Sequence, residues 1–195
     1  IAFVKDLIGQ GAEALLFDVR FNPGGYADEL VKVLDYLLPE GDLFRSVDYA
    51  GRDEVDTSDA SCVELPMAVL VNEDSYSAAE FFAAALQEYE WATIVGSQTY
   101  GKGNFQTAFY LSDGSMVNLS IGKYYTPGGK SLSETGVTPD VVVDLDDPAP
   151  YELAAFGKGV LHLGDILFFY RNLAENAVRR AHAFQAAHAL GRSPA

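Results

Sequence analysis

The chain has 195 residues, of which 49% are hydrophobic and 12% aromatic, and its formal net charge is −15. That apolar content is enough to bury a core, which excludes disorder throughout, and the length suits one domain or two small ones. The acidity excludes nucleic acid or an anionic membrane as the main partner, and no apolar run reaches the roughly 18 residues that cross a bilayer.

The elements follow in chain order. Phe3, Val4, Leu7 and Ile8 repeat at helical spacing and stop at Gly11. With no visible start to that helix and Ile1 in place of an initiator Met, the chain reads as a piece of a longer protein. Leu15 to Val19 is a short apolar run, read as a buried strand. Asn22-Pro23-Gly24-Gly25 breaks it, and Leu30, Val31, Leu34, Leu37 and Leu38 predict a helix that ends before Pro39. Gly51 to Glu64 is polar and acidic and reads as a loop. It contains Cys62, the lone cysteine, which excludes an internal disulfide.

Met67 to Val71 is a second strand, Ser77 to about Glu90 a helix, and Ala92 to Val95 a third strand closed by Gly96. Two strand–loop–helix units in a row predict a largely parallel sheet of an α/β fold. Beyond Lys102 the pattern changes. Phe105–Leu111, Ser115–Ile121 and Lys123–Thr126 read as strands, the first two joined by an Asp113-Gly114 hairpin turn. Val141 to Val143 is a last short strand. The Asp146-Asp147-Pro148 stretch marks a boundary between a core at 1–147 and a helical extension at 148–195. The segment from residue 151 onward carries five basic and three acidic residues, so the acidity is concentrated before it.

The chemistry centres on a serine and a lysine with no histidine near either. His162, His182 and His188 all lie in the last part of the chain. A serine hydroxyl needs a base to take its proton, and a lysine amine held neutral by burial is the alternative to imidazole. Ser77, three residues before Glu80, also fits a capping box, the ordinary reason for Ser at a helix start. Lys102, between Gly101 and Gly103, fits a solvated charge as well as a base. Gln106, four residues on, shares a face with it in either a strand or a helix. Asn22-Pro23-Gly24-Gly25 is either a plain strand-to-helix turn or a source of oxyanion-stabilising amides. Spacing alone leaves each pair open. Metal chemistry finds no Cys/His cluster of zinc type, and no cofactor is called for.

Several motifs in order carry a family resemblance. They are Leu16-Phe17-Asp18-Val19-Arg20-Phe21-Asn22-Pro23-Gly24-Gly25, the segment from Val69 to Glu80 with Asn72-Glu73-Asp74-Ser75-Tyr76-Ser77-Ala78-Ala79-Glu80, and Val95 to Gln106 with Tyr100-Gly101-Lys102-Gly103. Asp113-Gly114-Ser115, Tyr125-Thr126-Pro127-Gly128-Gly129 and Gly136-Val137-Thr138-Pro139-Asp140 follow. Together the chain resembles the C-terminal processing peptidases, or tail-specific proteases, over roughly residues 5–145.

The resemblance implies a crotonase-like peptidase core with a central sheet and flanking helices. It implies Ser77 as nucleophile, Lys102 as general base and Gln106 as the residue orienting Lys102. It also implies an oxyanion hole from Ala78, Gly24 and Gly25, and an acyl-enzyme route to cleavage of proteins near accessible C-termini. An extracytoplasmic setting is implied too. Tyr76 departs from the family pattern, which has a small residue between the two serines. No PDZ domain, usual in members, is recognisable. The tail at 151–195 is read as either a packing or dimerisation element, the second of which would allow a homo-oligomer, or a poorly ordered terminus. Two other classes share such a core: a non-catalytic binding module and an acyl-CoA enzyme of the wider crotonase group. Neither needs the Ser-Lys pair.

Overall fold

The computed structural model describes residues 1–143; the expected helical extension at 148–195 lies outside the described residues. The elements are α1 (Ala2–Gly9), β1 (Leu15–Asp18), α2 (Ala27–Leu37), β2 (Gly41–Asp48), β3 (Asp53–Ser58), β4 (Met67–Val71), α3 (Ala78–Glu88), β5 (Ala92–Gly96), β6 (Asn104–Tyr110), β7 (Met116–Tyr125) and β8 (Val141–Val142).

They form two four-stranded sheets, where the sequence reading expected one central sheet. The first is parallel, in the order β1-β4-β5-β8. Its strands are the short apolar runs between turn residues. Every residue of β4 is buried, because that strand lies between β1 and β5 and turns neither face to water. The second sheet is antiparallel, in the order β3-β2-β7-β6.

Two of the expected elements need correction here. The acidic stretch read as a loop contains β3, which pairs with β2 from Gly41↔Ser58 to Val47↔Asp53. The two short strands read on either side of Gly122 are one strand, β7. Gly122 does not break it; a side chain there would strike the Phe105 ring and the Val47 carbonyl. The glycine is where the ring of one strand lies flat on its neighbour.

Helix α2 buries Leu30, Leu34 and Leu37 along one stripe and carries Asp28 and Glu29 in its first turn, where the helix dipole favours negative charge. Each such leucine stabilises the fold by about 2 kcal/mol. Helix α3 is buried on most of its surface, from Ala79 through Leu86. It contacts β5 of the parallel sheet, β2 of the antiparallel sheet, and α2. Its small Ala83, Ala84 and Ala85 permit that close approach on several sides.

Aromatic rings join α3 to the antiparallel sheet. Phe44 meets Phe81 edge-on with centroids 5.2 Å apart. Tyr124 packs on Phe44 at 4.6 Å and stacks on Phe105 at 4.7 Å. This cluster forms the floor of the candidate site.

Candidate active site

Three loops leave the carboxyl ends of β1, β4 and β5, the end of a parallel sheet where ligand sites form. They carry Gly24 and Gly25, Ser77, and Lys102 respectively. Hydrogen bonds stitch them together. Phe21 N donates to Asn72 Oδ1 at 2.9 Å, and Tyr76 N to Asn22 O at 3.1 Å. Tyr100 N donates to Ser75 O at 3.1 Å. Ser75 is fully buried, and its hydroxyl donates to Val19 O at 2.7 Å while accepting from Asn72 N at 3.0 Å. It is a joint between loops and is not placed to react. Below it, Arg20 forks onto Asp18, with Nε to Oδ1 at 2.9 Å and Nη2 to Oδ2 at 2.7 Å, which braces the start of the glycine loop.

Ser77 is the N-cap of α3, with φ 60° and ψ −127°. That backbone region is sparsely populated for a residue with a side chain, and such strain gathers at functional sites. What holds it there is Glu80. The Glu80 side chain is fully buried, and both of its oxygens accept two hydrogen bonds. Oε2 accepts from the amide of Ser77 at 2.9 Å and from the amide of Lys102 at 2.9 Å. Oε1 accepts from Thr99 Oγ1 at 2.6 Å and from Gly101 N at 2.6 Å. Thr99 in turn accepts from Val137 N at 2.7 Å. One carboxylate oxygen therefore bridges the backbone of Ser77 to that of Lys102. In the sequence alone Glu80 reads only as a local cap. The signal available there was a charged residue set between Ala79 and Phe81 in a run otherwise apolar.

Gly24 has φ +85°, and a Cβ on it would come within 2.7 Å of Ala78 N and of Tyr76 O, and 2.9 Å of Ser77 Cβ. The glycine loop thus lies against the serine turn, closer than any other residue could. The Gly24 amide donates to Asn22 Oδ1 at 2.8 Å. The amides of Gly25 and Ala78 have no hydrogen-bond partner among the described residues. Gly24→Ala is expected to force the two loops apart. It should lower thermal stability by more than about 1 kcal/mol, because both the positive φ and the backbone contact oppose a methyl group. A thermal melt equal to that of the parent would show that the loop moves freely.

A cleft of about 280 Å³ gathers Gly25, Ser77, Ala78, Lys102 and Gln106 in one wall, over a floor of Phe44, Phe81, Phe105 and Tyr124. Burial pushes the Tyr124 phenol above its ordinary range, and the Asp28 charge adds to the effect; it lines the cleft as a neutral hydroxyl. Lys102 is the one charged residue among those lining the cleft. Gly101 and Gly103 let its loop press on residues 133–135: a side chain at Gly103 would meet Ser133 N at 2.8 Å. Lys102 Nζ is not hydrogen-bonded to Ser77 Oγ and lies 5.7 Å from the centre of the Tyr76 ring. Gln106 is exposed; its Oε1 is 3.5 Å from Asn118 Nδ2, and no hydrogen bond joins it to Lys102. A second, more open hollow of about 430 Å³ lies behind Gly24 and Gly25, between β1 and the helices.

Loops from three parallel strands thus bring a strained serine at a helix start and a lysine into the same cleft. Residues 1–143 match Peptidase family S41, and the chain belongs to that family. It is similar to the carboxy-terminal-processing protease of Bartonella bacilliformis, 39% identical over 143 residues, which cover 70% of this chain and 32% of the relative. It is also similar to the chloroplastic C-terminal processing peptidase of Tetradesmus obliquus, 38% identical over 141 residues, 71% of this chain and 30% of that one. Among solved structures, a photosystem II D1 C-terminal processing protease superposes with a TM-score of 0.67 at 36% identity, over 73% of this chain and 38% of that one. The chain spans about a third of the length of the curated relatives it matches.

Proposed function

We propose that this chain is the catalytic region of a serine endopeptidase that cleaves proteins near their C-termini. The observation that carries this reading is the single cleft lined by Ser77, Ala78, Gly25, Lys102 and Gln106. Ser77 Oγ attacks the scissile carbonyl carbon as Lys102 Nζ takes the hydroxyl proton. The oxyanion accepts from the amides of Gly25 and Ala78, the two left unpaired. Gly24, whose own amide is given to Asn22, contributes the space that lets this loop reach the serine. Lys102 passes its proton to the leaving amine, an acyl-enzyme remains, and Lys102 then activates the water that hydrolyses it. Gln106 orients the amine once substrate has closed the cleft. The aromatic floor favours an apolar residue at the cleavage point.

The finer fold reading is a crotonase-like peptidase core, supported by the parallel sheet with α2 and α3 beside it. The partners are proteins or peptides with accessible C-termini, and the acidic surface disfavours nucleic acid. An extracytoplasmic setting fits the family, one relative being named as chloroplastic.

The test is a fluorophosphonate probe applied to the purified chain and to Ser77→Ala, with the adduct located by mass spectrometry. The parent should be labelled at Ser77 and the variant not at all, while stability falls by only about 1 kcal/mol for a lost capping hydroxyl. Labelling that survives in Ser77→Ala would remove Ser77 as the nucleophile. Ser75 is no substitute, since its hydroxyl is buried and engaged.

A further inference from the structure

Lys102 presents its ammonium to an aromatic face, and not to the serine it would serve. The 5.7 Å from Nζ to the Tyr76 ring centre is within the range at which a ring quadrupole attracts a cation. Nζ makes no ion pair with a carboxylate among the described residues. The ring it rests on is itself fixed. The Tyr76 amide is tied to Asn22 of the glycine loop. The Tyr76 ring packs on Tyr100 with centroids 5.5 Å apart, and the Tyr100 amide is tied back to Ser75. Tyr76 thus stands where the glycine, serine and lysine loops meet, one residue before Ser77.

The groups facing Lys102 from the neighbouring elements offer the ammonium little else. From α3 comes Glu80, whose two oxygens are occupied by Ser77 N, Lys102 N, Thr99 Oγ1 and Gly101 N. From β6, β7 and the start of α2 come Gln106, Tyr124 and Tyr26, none of them a carboxylate, in the same cleft. The ring attracts the ammonium and has no such hold on the neutral amine. Only the neutral amine takes a proton from serine.

We propose that Tyr76 is a positioning residue that parks the Lys102 ammonium away from Ser77, a restraint that bound substrate must displace before the base can act. The inference rests on the reading of Ser77 as nucleophile and Lys102 as base. It gives a role to the tyrosine that departs from the small residue expected at that place.

The experiment measures two rates on the folded chain. Reductive methylation with formaldehyde and cyanoborohydride, read peptide by peptide, reports the amine of Lys102, with exposed Lys123 as internal reference. Fluorophosphonate labelling reports Ser77. Tyr76→Leu and Tyr76→Gln remove the ring in two different ways, and Tyr76→Phe keeps it. Both ring-less variants should raise Lys102 methylation and Ser77 labelling about two- to five-fold, the size of a partly exposed cation–π contact. Tyr76→Phe should stay close to the parent, which a merely structural role for the hydroxyl would not predict. Unchanged Lys102 methylation beside normal Ser77 labelling would overturn the restraint alone. No labelling of Ser77 in any form, with Lys102 methylation responding as expected, would overturn the catalytic reading and with it the restraint on a base.

Discussion

Lys102→Arg is expected to lose peptide hydrolysis and Ser77 labelling as fully as Lys102→Ala, by about a thousandfold, the usual scale for a lost general base. Arginine keeps the positive charge and has comparable reach, but its guanidinium does not release a proton at accessible pH. It also stacks on aromatic rings, so the contact with Tyr76 would survive the exchange. The comparison therefore separates the two things that this side chain offers the cleft, charge and a proton acceptor. Stability should change little, because Lys102 makes no ion pair among the described residues. The glycines around it place backbone, and not the side chain, against residues 133–135. The measurement is the labelling rate of Ser77 in the parent and both variants, at a pH where all are folded. An arginine variant that labels Ser77 at the parent rate would show that charge alone is what this position supplies.

How much of this was legible in the sequence differs between the two sheets. The parallel half reads directly. Leu15 to Phe17, Met67 to Val71 and Ala92 to Val95 are apolar runs with turn residues nearby, the last two buried throughout, and each lies in a strand. The antiparallel half hides its pairing. Strand β3 reads Asp53-Glu54-Val55-Asp56-Thr57-Ser58 and is exposed until its last residue, so no apolar face announces it. It is held by its backbone ladder to β2 and by Arg45, whose Nη2 lies 2.5 Å from Asp53 Oδ2. Such an edge strand looks like a loop to any rule based on hydrophobic period. In the same way, the cleft floor of Phe44, Phe105 and Tyr124 draws on β2, β6 and β7, which only the folded sheet brings together.

The site divides along the same line. Ser77 and its cap are a local pattern, and the motif order carried Lys102 and the glycine loop. Glu80 as a bridge was not legible, since its partners Thr99, Gly101 and Lys102 come from a loop that follows another strand. A capping box explains one of its four hydrogen bonds. The other three exist because β4 and β5 are neighbours, paired from Met67↔Ala92 to Val71↔Gly96. That pairing delivers the lysine loop to the foot of α3.

Glu80→Gln is expected to damage both folding and chemistry, for a reason that can be counted in donors. Ser77, Lys102 and Gly101 each present a backbone N–H to this side chain, and Thr99 a hydroxyl. A backbone N–H can only donate, so the three amides need acceptors on both oxygens. A glutamine has one carbonyl oxygen and one amide nitrogen that itself donates. Whichever way it turns, one pair of donors meets an N–H group, and at least one backbone N–H is left unsatisfied in a fully buried place. Each unsatisfied donor costs about 1–3 kcal/mol, so with one or two left over the variant should lose about 1–6 kcal/mol in chemical denaturation. If the nitrogen faces Ser77 and Lys102, the two segments lose the atom that sets their separation. A shift of about 1 Å between the proposed nucleophile and the proposed base costs on the order of a hundredfold in rate. Ser77 labelling should therefore fall by that factor even at a temperature where the variant is fully folded. Glu80→Asp keeps both oxygens but shortens the reach, and should lose less stability than glutamine while labelling just as poorly. A glutamine variant with parent stability and parent labelling would mean that the Ser77 turn and the Lys102 loop hold their places without the carboxylate between them.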